Sequence, residues 1–472
     1  MRSLLPLAVL SALIVPALAA AQQAPSSVPR AYISVEGPAI ALTNVKVIDG
    51  TGTAARDNQT IVIEGRTIRA VGSTGSVQIP SNARVLDLSG HTVIPGLVGL
   101  HDHMYYNSRH QLYSYPKLFL AAGVTTIRTT GSYDSYQELN LRRNIDDGRV
   151  IGPTIYVTGP YLQGPGSGPG TMGPMHPLSG ADDARRMVKY WAEEGVSWFK
   201  AYTQISRAEL GAAIEEAHKH GVKVTAHLCS VGFREAVALG IDNLEHGLLV
   251  NTEYSPQKQP DRCPSVSDSA YAALDVNSAD VQQTFKDMVA KNVAMTSTLA
   301  VMELGTPSRV PFDQRVLDAL YTDPREQMTR YYENGKNSAQ ADQRGIAALK
   351  KAMEYERAFV KAGGLLAAGA DPCCATAIAG YADQRNFELL VEAGFSAEQA
   401  TQIMTANGAR VLGGAQQFGS IKPGLNADLV VLRGDPTRSP ADIRNVVTVF
   451  KHGVGYDSAK LTDAIKGRIG IN

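Results

Sequence analysis

Eight short apolar segments, separated by helix-like stretches, run between residues 95 and 415. They read "LVGLHDH", "GVTTIRTTG", "PTIYVTG", "VSWFKAYT", "GVKVTAHL", "IDNLEHG", "NVAMTSTL" and "GLLAAGAD". Helical patterning falls between them in "ADDARRMVKYWAEEG", "SRAELGAAIEEAHKHG", "VGFREAVALG" and the stretch from 340 to 363. Strands that alternate with helices predict an α/β fold with parallel strands, and eight of them predict a (β/α)8 barrel. Two strand-to-strand steps, from "IDNLEHG" to "GLLAAGAD", carry surplus length. A Pro, Ser and Asp-rich loop at 251–280 and a helical region after 313 absorb it. A further loop, "YLQGPGSGPGTMGPMHPLSG", is too rich in Gly and Pro for regular structure. It lacks phosphate-loop spacing, which excludes nucleotide binding there, and its His176 reads as a surface residue.

The flanks have another texture. Residues 39–93 alternate Val and Ile with polar residues between Gly and Asn turns, as strands do. The same pattern returns at 416–460. Neither piece could bury a core alone, so the two are predicted to pair into one small β-sandwich beside the barrel at 94–415. The first 21 residues, one Arg followed by an apolar run and small residues, read as a secretory signal peptide. No later segment is apolar for long enough to span a bilayer. A secreted or periplasmic location is expected. With 45 basic and 45 acidic side chains in 472 residues, nothing points to nucleic acid. Of the four cysteines, Cys263 is expected to bridge to Cys373 or Cys374, with free thiols as the alternative.

Barrel chemistry gathers at the C-terminal ends of the strands. There the first strand carries His101 and His103, which share a face because a strand repeats every two residues. The fourth carries Lys200, the fifth His227, the sixth His246 and the eighth Asp371. A lone buried His or strand-end Asp is more often structural than functional. Six such residues at five strand ends point instead to metal ligation, with Asp371 also the catalytic residue. Tyr105, Tyr106, Arg128 and Tyr202 lie at or near strand ends and are candidate substrate contacts. Arg128 suits a carboxylate by its planar fork, with a salt bridge inside the barrel as its alternative role.

The pattern resembles the amidohydrolase superfamily along nearly the whole chain, with "VIPGLVGLHDH" matching the family's opening motif. The "GVTTIR" and "NLEHG" segments are similar to the exported branch near Xaa-Pro dipeptidases, ochratoxinase-like amidases and imidazolonepropionase. Imidazolonepropionase itself lacks the fourth-strand lysine, so Lys200 argues against that assignment and for two metals.

The resemblance implies two divalent ions, zinc by donor type, and a CO₂-derived carbamate on Lys200 bridging them. His101 and His103 would serve one ion with Asp371, and His227 and His246 the other. A metal-bridging hydroxide would attack the carbonyl, with Asp371 taking its proton and passing it to the leaving nitrogen. The expected activity is hydrolysis of the amide bond of a dipeptide or N-acyl amino acid. The alternatives are a lactonase or ester hydrolase on the same centre, and a non-catalytic binding protein. Homo-oligomers, common in that family, are expected here on that basis alone.

Overall fold

The computed structural model describes residues 30–165 and 175–471. The expected signal peptide lies outside them, as does part of the Gly/Pro loop. Eight parallel strands form the centre: β1 (Leu97–Asp102), β2 (Val124–Thr129), β3 (Thr154–Tyr156), β4 (Trp198–Ala201), β5 (Lys223–Ala226), β6 (Asn243–Glu245), β7 (Ala294–Ser297) and β8 (Leu366–Ala368). β1, β2 and β3 pair as one sheet and β4 to β8 as a second, each strand beside its sequence neighbour. Backbone contacts join the two sheets at both edges. Thr158 pairs with Trp198 and Leu162 with Ala201 beyond β3. On the other side, the amides of Ala370 and Asp371 donate to the His101 carbonyl at 3.1 and 2.7 Å.

Composition explains why these segments are strands. β1, β2, β4 and β7 are buried along their whole length. Strands covered on both faces are expected to read as continuous apolar and β-branched runs, as "VTTIRT" largely does. Several of the helices between them are buried along one side only. Helix Ala181–Glu193 buries Ala184 and Val188, while Arg185 and Arg186 face outward. Helix Arg207–Lys219 starts where Ser206 and Glu209 cap each other reciprocally, the Ser-x-x-Glu pattern of a capping box. Each large side chain buried in this core contributes roughly 1.5–3 kcal/mol. Between β8 and β1 there is no room for a side chain. A Cβ on Gly369 would lie 2.1 Å from the His101 amide nitrogen, so glycine is what lets β8 bring Asp371 beside β1.

Residues from the two chain ends pair in a single nine-stranded sheet. His91–Pro95 lies antiparallel to Leu429–Arg433, and Ile33–Val35 to Val454–Asp457, so the N-terminal and C-terminal contributions meet at two seams. Ala39–Val47 branches, pairing with Arg56–Glu64, Arg84–Asp87 and His91–Pro95. The sheet has an apolar core of its own, including Ile40, Leu42, Ile61, Val93, Leu429 and Phe450. Among the described residues no helix is long and apolar enough to cross a membrane.

The cysteine expectation is corrected. Cys229, just after β5, is bonded to Cys263, and Cys373 and Cys374 are free. The insertion after β6 folds back onto its neighbour β5, with Cα atoms 4.8 Å apart, a separation suited to a disulfide. Cys373 and Cys374 follow β8 instead.

Candidate metal centre

The candidate ligands converge where the strands end. His101 and His103 leave β1 on the same side, and Lys200 lies within β4. His246 and Asp371 stand just past β6 and β8 in left-handed backbone conformations, with φ of 64° and 51°. Non-glycine residues adopt that region at a cost and cluster at functional sites. His101, His103, Lys200 and His246 are buried, and His227 and Asp371 are partly buried, Asp371 with 16% of its side chain accessible.

Asp371 lies between the two β1 histidines. One carboxylate oxygen is 3.0 Å from His103 Nε2 and the other 3.6 Å from His101 Nε2. Lys200 Nζ is 3.4 Å from His101 Nε2. The His246 ring packs between those of His101 and His227, with centroids 4.5 Å from each. His101, His246 and Asp371 offer ligand atoms all within 4.8 Å of one another, a grouping that spans both expected ligand sets.

The tautomers suit a metal. Glu245 Oε2 is 2.8 Å from His101 Nδ1. A carboxylate only accepts, so Nδ1 carries the proton and Nε2 faces the centre with its lone pair. His246 Nδ1 is hydrogen-bonded to Thr298 Oγ1 at 2.7 Å, and its buried Nε2 has no partner among the described residues. Carboxylate and imidazole donors with free lone pairs are the donor chemistry of a divalent ion such as zinc.

Electrostatics point the same way. Burial holds His101 and His246 well below the ordinary imidazole value and lowers His227 to about 3, with the Lys200 charge adding to each. These rings are neutral, as ligands must be. Burial likewise lowers Lys200 to about 8. For Asp371, burial opposes ionisation, but the neighbouring His101, His103 and Lys200 outweigh it and hold the carboxyl below its usual range.

Arg128 requires a correction. It is fully buried, donates to Glu245 and stacks 4.5 Å over the Trp198 ring. It faces the interior, the alternative its sequence position left open, because Glu245 needs a counter-ion. That carboxylate also accepts from Thr225 Oγ1 and, at 2.9 Å, from Asn243 Nδ2. Glu245, which orients His101, escaped the sequence reading although it sits inside "NLEHG". Tyr106 also turns away, donating to the Ala375 carbonyl. His176 is exposed.

Tyr105 and Tyr202 do lie at the centre. Tyr105 stacks on His103 at 4.5 Å, and Tyr202 packs 5.0 Å from His227. Two tyrosines that the sequence reading missed complete the wall, Tyr133 after β2 and Tyr161 after β3. Their signal was a repeated Thr-Gly-x-Tyr, at 130–133 and 158–161, which places a ring at equivalent points of adjacent strands.

Comparison with known proteins agrees with this geometry. The model of the amidohydrolase family matches residues 92–455. The chain belongs to the amidohydrolase family. No curated protein matches the sequence. Among solved structures, this amidohydrolase is similar to a Bifidobacterium longum protein assigned as a prolidase, with 27% identity and a TM-score of 0.66 over 90% of this chain and 98% of that one. A Xaa-Pro dipeptidase shares the fold at 19% identity and TM-score 0.65, over 89% of this chain and 100% of that one. So does the A. niger ochratoxinase, at 19% and 0.63, over 89% and 96%. The amidohydrolase is a hydrolase acting on C–N bonds.

Proposed function

We propose that this amidohydrolase is exported and cleaves the amide bond of dipeptides or N-acyl amino acids at a two-metal centre. The carrying observation is the convergence of His101, His246 and Asp371 within ligand distance of one another, with His103, Lys200 and His227 around them. Its eight parallel strands, linked at both edges, are read as a closed (β/α)8 barrel with the site at its C-terminal mouth. The apolar first 21 residues support export. Likeness to the B. longum protein assigned as a prolidase supports a peptide-like substrate.

His101, His103, His227, His246 and Asp371 would hold two divalent ions, with Lys200, carboxylated by CO₂, as a further ligand. Such ions, zinc by donor type, activate water near neutral pH and polarise the scissile carbonyl. Glu245 fixes the His101 tautomer and ring orientation. Asp371 is ionised and so can accept the proton of the attacking water. It then delivers that proton to the departing nitrogen, which would otherwise leave as an amide anion.

Amine release by metal-loaded protein across a panel of dipeptides and N-acyl amino acids tests this, with lactones as the control series. Amine release is expected. Acid production from lactones without amine release would overturn the amide assignment.

A further inference from the structure

The metal-site histidines are bridged by an unbroken run of aromatic rings. Tyr105 stacks on His103, with centroids 4.5 Å apart and planes inclined by 25°. Tyr133 lies 4.7 Å from Tyr105, Tyr161 5.5 Å from Tyr133, and Tyr202 5.2 Å from Tyr161. Tyr202 then packs 5.0 Å from His227. Each of β1 to β4 contributes one tyrosine, in order, so the arc walls one side of the centre from end to end. Tyr105 and Tyr161 spend their hydroxyls on each other at 2.7 Å and are buried, whereas Tyr133 is only half-buried.

This arrangement favours ring faces over polar recognition. Of the cations that reach the ligand cluster, Arg128 is held by Glu245 and Lys200 lies 3.4 Å from His101 Nε2. The undescribed stretch 166–174, "GSGPGTMGP", contains neither Lys nor Arg. The wall beside the ligands on this side is aromatic. Aromatic pairs gain from offset or edge-to-face contact beyond the burial of apolar area.

We infer that the tyrosine arc receives an aromatic ring adjacent to the scissile bond, so that the substrate class is an aryl-bearing amide. This rests on the hydrolase reading above and narrows it.

The test uses two matched pairs on metal-loaded full-length protein. N-acetylphenylalanine against N-acetylcyclohexylalanine places the ring on the amine side. Phenylacetylglycine against cyclohexylacetylglycine places it on the acyl side. A preference in kcat/KM of roughly three- to tenfold for phenyl over cyclohexyl is expected in at least one pair, the size of an aromatic pair contribution. Tyr133→Leu should bring that ratio toward one, and Tyr133→Phe should keep it. Equal or reversed ratios in both pairs overturn the inference, as does a ratio that survives Tyr133→Leu. Equilibrium binding of phenylacetate against cyclohexylacetate reads ring preference without turnover. Hydrolysis with no ring preference sinks the arc's role alone. Ring-selective binding with no hydrolysis of any amide sinks the hydrolase assignment and leaves the arc standing.

Discussion

The two halves of the site, β1 to β4 and β5 to β8, divide the candidate ligands evenly but wall the site differently. The first half supplies His101, His103 and Lys200, and the second His227, His246 and Asp371. All four tyrosines of the wall belong to the first half. The second half instead presents Thr298 and the small residues around Cys373 and carries the insertion tied to β5 by Cys229–Cys263. Ion binding needs donors converging from several directions, so it draws on both halves. Recognition of a planar group needs one continuous face, and one half suffices for it.

The largest expected effect breaks the second half alone. Asp371→Asn keeps the shape of the side chain but cannot take a proton at neutral pH. Its kcat should fall by about 1000-fold or more, toward the upper part of what general base catalysis contributes. Circular dichroism should report an intact fold. Turnover within tenfold of the parent would remove Asp371 from proton transfer and leave it a ligand only.

How far the two halves could be read from the chain differs for a physical reason. His101, His103, Lys200, His227, His246 and Asp371 each follow an apolar strand segment, so their position on the fold is set by local pattern. Glu245 was not legible, because its role depends on reaching across to His101, 144 residues away. Alternation along β6 does not reveal that contact, since the chain turns left-handed at the next residue. Arg128 was ambiguous for the same reason, its partner being 117 residues distant. Tyr133 and Tyr161 could have been found by comparing strand ends with one another, since both close a Thr-Gly-x-Tyr turn. The Cys229–Cys263 bond depends on how a Pro-rich insertion folds back, which no periodicity records.

The next effect sharpens the contrast through the staple of the second half. Cys229 and Cys263 are 34 residues apart in sequence, and closing a loop of that size restricts the unfolded chain by about 3–4 kcal/mol. Reductant, or the double change of Cys229→Ser and Cys263→Ser, should lower the thermal midpoint by several degrees. An unchanged midpoint would mean that the insertion is held by its packing rather than by the bond.

A smaller effect is expected where the halves meet. Glu245, on β6, pairs with Arg128 on β2 and orients His101 on β1. Glu245→Gln keeps the volume but weakens the hold on both partners. Metal affinity should fall by roughly 10–100-fold, the usual cost of losing the carboxylate behind a ligating histidine. Titration with a competing chelator measures it. Affinity equal to the parent would show that the imidazole is oriented by packing alone.

The smallest effect concerns a feature the halves share, a buried carboxyl beneath the site. Glu138 packs beside Thr129 at the end of β2, and Glu356 beside Ser297 at the end of β7. Burial pushes each to about 8. Below pH 4.5 both states hold the proton. Between there and pH 8 the folded protein keeps a proton that the unfolded chain has released, so stability falls as pH rises, by at most about 1.4 kcal/mol per pH unit for each group. Above pH 8 that contribution is gone. Glu138→Gln and Glu356→Gln, neutral at every pH, should each flatten the decline seen in denaturant unfolding between pH 5 and pH 8. If only one does, the halves differ in their interior as well as at their mouth. The acid whose replacement changes nothing must then be ionised when folded and reached by water.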